Sequence, residues 1–219
     1  MWIRGVLYYE ARITFGLTSL LPALILPGYV TLGTLAWLNR NTTPEQYELL
    51  RAFVLLLPLC SGLIAAHLMV VEREEAFDEL RRSYPEPDWR VPFLRTGIAI
   101  GLALVSALVA WWFFAISSRY ALTEVLLPAF APSIFLMGLG MILSNVTGNY
   151  PLAAGFIVAY WFLEFQLPGS LTGDMFLFNA AVPQVDVDPD LNQQLLIIGG
   201  TLLLIANGIY SSWRRRRGG

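Results

Sequence analysis

The sequence predicts an all-α protein that crosses a membrane six times as a single transmembrane domain, residues 1–219. Of its residues, 56% are hydrophobic and only 14% are charged, whereas soluble domains carry about 25% charged residues. The mean hydropathy is +0.59, and long apolar runs recur along the chain. A soluble fold of this size has no interior large enough to hide so much apolar surface.

Each of six apolar segments is predicted to be a helical span, because a helix needs about 20 apolar residues to cross the hydrocarbon core. Pro22 and Pro27 are expected to kink the first span, and Pro128 and Pro132 are expected to break the fourth. The predicted bounds of the six spans are 13–38, 52–71, 93–117, 124–143, 151–167 and 195–213.

Two further segments are expected to lie at the membrane surface. Residues 1–13 are predicted to form an interfacial amphipathic helix, because Trp2, Val6 and Tyr9 fall on one side of it. A long connector, residues 168–194, separates the fifth and sixth spans. Its apolar stretch 175–182 is too short to cross the bilayer and is expected to dip into the interface.

The placement of arginine predicts the orientation of the spans. All fourteen basic residues are arginine, and positive charge accumulates on the cytoplasmic side of a membrane. With both termini cytoplasmic, only Arg40, Arg51 and Arg119 lie outside. The expected location is therefore the cell membrane, with cytoplasmic termini and an extracellular connector at 168–194.

A charged segment, residues 72–92, follows the second span directly. Residues 72–95 hold seven acidic side chains and five arginines. Burying these twelve charges at about 3 kcal/mol each would cost on the order of 30–40 kcal/mol. The charged segment must therefore lie in water, on the cytoplasmic side.

Within the charged segment, Phe77, Leu80 and Tyr84 have the spacing of one helix face. Pro85 and Pro87 are expected to end this helix, since proline lacks the amide donor and restricts the residue before it. An ordered apolar face favours a docking element for another protein. The alternative is a solvated loop whose charges only keep it out of the membrane.

This part of the chain resembles the permease subunits of ABC-2 type transporters. The similar residues are Val71-Glu72-Arg73-Glu74-Glu75, followed by Glu79-Leu80 and Ser83-Tyr84-Pro85. The amphipathic first helix, the six spans and the long connector before the sixth span are similar in layout. The resemblance implies that residues 1–13 are the connecting helix and that residues 175–182 are a re-entrant segment.

The resemblance also implies a function, the membrane-spanning subunit of an ATP-driven exporter, with a separate ABC ATPase and a second permease copy or related permease as partners. The few fixed charges in the spans favour a hydrophobic or amphipathic substrate. ATP and Mg²⁺ would be bound by the partner ATPase, not by this chain. The residues expected to form the coupling interface with the ATPase are Glu72, Glu74, Glu75, Phe77, Glu79, Leu80, Arg81, Arg82 and Tyr84.

Several kinds of site are not expected in this chain. A nucleotide-binding phosphate loop needs a lysine, and the sequence contains none. Asp186, Asp188 and Asp190 begin like a calcium loop, but Leu191 and Ile197 occupy the glycine and glutamate positions of an EF-hand. No catalytic residue, bound cofactor, metal site or nucleic-acid partner is therefore predicted.

Two ionisable residues inside spans, His67 and Glu164, are candidates for a translocation path. An interhelical hydrogen bond is the alternative for His67, and Glu164 is expected to reach water near the outer interface. Two other functions stay open, a membrane scaffold without a transport path and a membrane enzyme. The enzyme is the weakest, because these two residues lie toward opposite faces.

Overall fold

The computed structural model describes residues 17–40, 46–74, 90–115, 121–182 and 187–217, and the predicted helix at 1–13 lies outside them. These ranges contain one short 3₁₀ helix, Gly173–Met175, and no strand, so the predicted all-α class is confirmed. The six α-helices are α1 Leu17–Arg40, α2 Gln46–Glu74, α3 Arg90–Ala115, α4 Leu122–Thr147, α5 Tyr150–Gln166 and α6 Pro189–Arg217.

Four stretches of the described helices are long and apolar enough to cross a membrane, which marks the chain as a membrane protein. The apolar part of α1, Leu20–Leu35, is shorter, and α5 has 17 residues, or about 26 Å. The predicted count of six spans therefore stays a prediction. The four stretches are Leu50–Val70, Phe93–Trp112, Leu122–Thr147 and Pro189–Trp213.

Successive helices alternate in direction. Near its start α5 meets the end of α2, where Tyr150 contacts His67, and near its end Trp161 bonds to Leu55 at the start of α2. The helices α2, α4 and α6 run parallel and end at one side of the bundle, named here the arginine-rich end. The connector between α5 and α6 lies at the opposite side, named the connector end.

The structure corrects the prediction that prolines break the fourth span. Pro128 and Pro132 both lie inside α4, which is one continuous helix. Each proline removes one helical amide, but the helix is buried against α2 and α6, which keep it in place. Packing against neighbouring helices allows a proline-containing helix to continue inside a bundle.

Two predicted boundaries are also wrong. The helix α6 begins at Pro189, six residues before the predicted start, because Asp188 caps it by accepting a hydrogen bond from the Asp190 amide at 2.9 Å. The fourth span, predicted to end at residue 143, is also longer, since α4 continues to Thr147 and Gly148 ends it with a φ of 66°. This left-handed conformation suits glycine.

Close contacts between glycines hold α4 between α2 and α6. A Cβ atom added to Gly138 would lie 2.7 Å from the Gly200 carbonyl oxygen, and one added to Gly62 would lie 3.1 Å from the Leu136 oxygen. Gly140 faces the Gly62 carbonyl even more closely. Without side chains at these points the backbones approach one another, which is how helices in membranes gain packing energy.

The helix α2 is the centre of the bundle. Of the residues in the most apolar part of α2, 83% are buried, whereas the shares for the corresponding parts of α3 and α6 are 33% and 17%. On its other side α2 contacts α1 and α3, which are joined by a hydrogen bond of 2.7 Å from Ser106 Oγ to the Ala23 carbonyl. Large apolar side chains cover the outward faces of α3 and α6, as expected for surfaces that contact lipid.

We expect Gly140→Ala to destabilise the protein strongly, because the new methyl group would overlap the Gly62 carbonyl. Overpacking of this kind costs about 1–3 kcal/mol, which corresponds to several degrees in the midpoint of thermal unfolding in detergent. Gly101→Ala is the matched control, since nothing lies within 4 Å of its added Cβ. Equal midpoints for the two variants would show that the helices do not depend on this contact.

Candidate functional site

The predicted coupling interface begins where α2 ends. Glu72 and Glu74 lie in the last turn of α2, which continues without interruption to that point. The C-terminal end of α2 therefore leads directly into the charged segment. The other predicted coupling residues, Glu75, Phe77, Glu79, Leu80, Arg81, Arg82 and Tyr84, lie outside the described residues.

The structure separates the two candidates for a translocation path. His67 lies near the arginine-rich end of α2, and Glu164 lies near the connector end of α5. The prediction that the two lie toward opposite faces is consistent with this placement. They cannot act on one group, and each belongs to a different set of polar contacts.

His67 is 3% exposed and packs against Tyr150, the first residue of α5. The ring centroids are 5.2 Å apart and the planes are nearly perpendicular, at 76°. Edge-to-face contact between aromatic rings is favourable. His67 therefore helps to join α2 to α5 at the arginine-rich end.

A hydrogen-bonded network at the arginine-rich end joins α2, α4 and α6. Asn145 Nδ2 donates to Asn207 Oδ1 at 3.0 Å and also to Ser211 Oγ, and Asn207 Nδ2 donates to Met69 Sδ at 3.6 Å. Both asparagines are at most 4% exposed. Sequence reasoning missed this network, because the predicted fourth span ends at residue 143, before Asn145. Asn207 could have indicated the network, because it is a polar residue within an apolar run. Such side chains often form hydrogen bonds between membrane helices.

Arg95 is a further buried polar residue that was not expected from the sequence. It is 2% exposed, although it was counted among the charges facing the cytoplasm. Its neighbour Thr96 donates to Met141 Sδ at 3.4 Å, one turn before Asn145 on α4. Four polar residues are therefore buried near the same end of the bundle: His67, Arg95, Asn145 and Asn207.

Glu164 is 0% exposed, so the expectation that it reaches water is wrong. Its carboxylate accepts hydrogen bonds from Thr172 Oγ1, at 2.9 and 3.0 Å, and from the Leu177 amide at 3.4 Å. Both donors belong to the connector, which folds back over the end of α5. Glu164 therefore anchors the connector in the structure.

Aromatic side chains hold the same connector against α2 and α5. Phe176 and Phe178 are fully buried, and Trp161 lies 5.9 Å from both the Phe165 and Phe178 ring centroids. Trp161 Nε1 also donates to the Leu55 carbonyl of α2 at 2.8 Å. The apolar stretch predicted at 175–182 is thus covered largely by protein.

Among the described residues, no group of three or more histidine, cysteine, aspartate or glutamate side chains is placed to hold a metal ion. The two groups in the spans that were considered for chemistry, His67 and Glu164, lie at opposite ends. The arrangement provides polar contacts between segments at both ends of the bundle.

We expect Glu164→Ala to loosen the connector, because it leaves the Thr172 hydroxyl and the Leu177 amide without their acceptor. Buried polar groups left unsatisfied cost about 1–3 kcal/mol each. Hydrogen–deuterium exchange of a peptide covering residues 171–182 should become faster. Glu124→Ala is the control, since Glu124 is exposed on α4, and unchanged exchange in Glu164→Ala would contradict the anchoring role.

A double-mutant cycle should detect the Asn145–Asn207 bond. We expect Asn145→Ala and Asn207→Ala to be non-additive by about 0.6 kcal/mol in unfolding free energy and by no more than about 1.7 kcal/mol, the average and the maximum for hydrogen bonds between membrane helices. Asn145→Ala combined with Asn192→Ala, at the opposite end, should be additive. Additivity in the first pair would show that the two amides do not interact.

Comparisons with protein-family models, with curated proteins and with solved structures find no match for this chain.

Proposed function

We propose that this chain is the membrane subunit of an ABC-2 type transporter that exports a hydrophobic or amphipathic substrate. A separate ATP-binding subunit would supply the energy, and a second copy of this chain or a related permease would complete the transport path. The resemblance in residues 71–85 suggests this class, and the arrangement of the helices supports it.

The observation that carries the proposal is the position of α2. This helix extends unbroken from Gln46 to Glu74, and 83% of the residues in its most apolar part are buried among the other helices. The charged segment is therefore attached to the most enclosed helix of the bundle. A partner bound to the charged segment would act directly on the centre of the fold.

The contacts of α2 would carry such a force further. It packs on α4 at Gly62 and Gly140, and α4 packs on α6 at Gly138 and Gly200. At these points the backbones are in close contact, with too little space between them for a Cβ atom. Displacement of α2 would therefore move α4 and α6 with it, since tightly packed interiors transmit strain.

The ATPase would bind ATP and Mg²⁺ and hydrolyse the nucleotide. This chain would receive the resulting motion through the charged segment and convert it into movement of its helices. The alternating helix directions agree with six passes through a membrane, which would leave the charged segment and both termini on the cytoplasmic side. Because coupling between sites is reciprocal, substrate binding should change the rate of ATP hydrolysis.

Chemical cross-linking would test the proposal. Leu80→Cys in a Cys60→Ala background leaves one thiol, because Cys60 is the only cysteine in the sequence. Co-expressed with its cognate ATPase, the variant should form a cross-link to that subunit. Absence of both the cross-link and co-purification would refute the proposal. A complex that assembles but moves no substrate would favour the scaffold.

We expect Leu80→Asp to abolish coupling to the ATPase, because it places a charge on the apolar face that the sequence predicts for Phe77, Leu80 and Tyr84. Substrate-stimulated ATP hydrolysis and co-purification should both fall at least tenfold. Leu171→Asp is the matched control, since Leu171 is 55% exposed in the connector at the opposite end. Equal loss in both variants would point to general destabilisation.

A further inference from the structure

The last helix, α6, carries one continuous apolar stripe that faces away from the bundle. Five of its side chains are spaced three or four residues apart, and each is at least 47% exposed: Ile198, Leu202, Ile205, Ile209 and Trp213. Residues at this spacing lie on one face of a helix. The stripe is about 22 Å long, which is most of the roughly 30 Å of a hydrocarbon core. It is therefore a surface that contacts lipid.

Polar contacts on the opposite face fix how α6 is turned about its axis. Asn207 is 1% exposed, and its Oδ1 accepts a hydrogen bond at 3.0 Å from Asn145 Nδ2 of α4. The same amide also donates to Ser211 Oγ, one turn further along α6. At 100° per residue, Asn207 and Ile209 lie on opposite sides of the helix. These bonds therefore keep the apolar stripe turned outward up to the arginine-rich end.

The stripe ends in a pair of aromatic rings. Trp213 lies 6.1 Å from Tyr210 between ring centroids, with the ring planes inclined by 36°. Tryptophan and tyrosine concentrate where the hydrocarbon core meets the headgroups. This pair therefore marks the headgroup level at the arginine-rich end, and the arginines that follow Trp213 belong to that level.

The four arginines continue the helix and so have a defined register. Since α6 extends to Arg217, Arg216 and Arg217 follow Trp213 by three and four residues, the spacing of neighbours on one helix face. Arg216 falls on the line of the apolar stripe, and Arg217 falls beside Trp213. Arg214 and Arg215 fall on the side of the contacts with α4. Two of the four arginines therefore extend the face that contacts lipid.

The charge of this end of α6 is of one sign. Asp190 is the last acidic residue in the sequence, and it lies in the first turn of α6, at the opposite end. A guanidinium group can form two parallel hydrogen bonds to a phosphate. Anionic lipids attract basic segments next to a membrane helix, by about 1 kcal/mol for each arginine. Arginines directly beyond a lipid-facing stripe thus suit the headgroup of an anionic phospholipid.

We propose that Arg216, Arg217 and Trp213 form a binding site for one anionic phospholipid. The two arginines bind its phosphate, Trp213 lies at the level of its glycerol backbone, and an acyl chain packs along the apolar stripe. The bound lipid would hold the end of α6 at a fixed depth in the membrane. This site does not depend on coupling to an ATPase. The competing partner for these arginines is protein, namely the acidic side chains of the charged segment.

Native mass spectrometry of the purified full-length chain, without any partner, tests the proposal. We expect the first phosphatidylglycerol to bind at least tenfold more tightly than phosphatidylcholine with the same acyl chains. Glycerol 3-phosphate at equal concentration should not displace the lipid, because it has no chain to pack on the stripe. Equal affinity for the two lipids, or displacement by glycerol 3-phosphate, would overturn the proposal.

Two double variants with equal net charge locate the site. Arg216→Gln with Arg217→Gln should reduce the preference for phosphatidylglycerol at least fivefold, since about 1 kcal/mol for one arginine corresponds to about fivefold. Arg214→Gln with Arg215→Gln is the matched control and should keep most of the preference. An equal loss in both would show general attraction by positive charge instead of a site on this face. No loss in either would show that these arginines do not bind the lipid, as expected if they pair with the charged segment.

Thermal unfolding of the same proteins provides an independent measurement. At ten times its dissociation constant, phosphatidylglycerol should raise the unfolding midpoint of the unchanged chain by about 3–6 °C over phosphatidylcholine. The shift should largely disappear in Arg216→Gln with Arg217→Gln and persist in the control. A full shift in the first double variant would contradict this location for the lipid.

Discussion

Close backbone contact along α4 is the constraint on which the rest of this structure depends. Gly140 meets Gly62 of α2, and Gly138 meets Gly200 of α6, with too little space for a side chain at either point. Three parallel helices therefore share one packed interior, with α1 and α3 on one side of α2. Apolar side chains gain no hydrophobic free energy by moving from lipid into protein. Close packing between matching helix surfaces therefore supplies much of the free energy of helix association.

This close packing also explains the polar groups inside the bundle. At the arginine-rich end, Asn145 reaches Asn207 because α4 and α6 are held together one to two turns away at Gly138 and Gly200. At the connector end, Glu164 is shielded from solvent and receives its hydrogen bonds from Thr172 and the Leu177 amide. Each end of the bundle is thus joined by polar contacts whose partners come from different segments of the chain.

The same geometry bears on the proposed transport function. The central helix α2 leads into the charged segment at one end, and the Leu55 carbonyl of the same helix bonds to Trp161 at the other. A partner that moves the charged segment would therefore be connected through one rigid helix to the region around the connector. His67 and Glu164 join helices at the two ends of this route, which gives both a positioning role in the bundle.

The sequence alone determined the all-α class and the membrane character, because hydropathy acts locally and is visible in a linear pattern. It did not determine whether a proline interrupts α4, whether Asn145 lies inside that helix and meets a partner, or whether Glu164 reaches water. Those outcomes depend on which segments lie next to one another. Arg95 is the clearest case, since a residue counted as a surface charge is buried once α3 packs against α2 and α4.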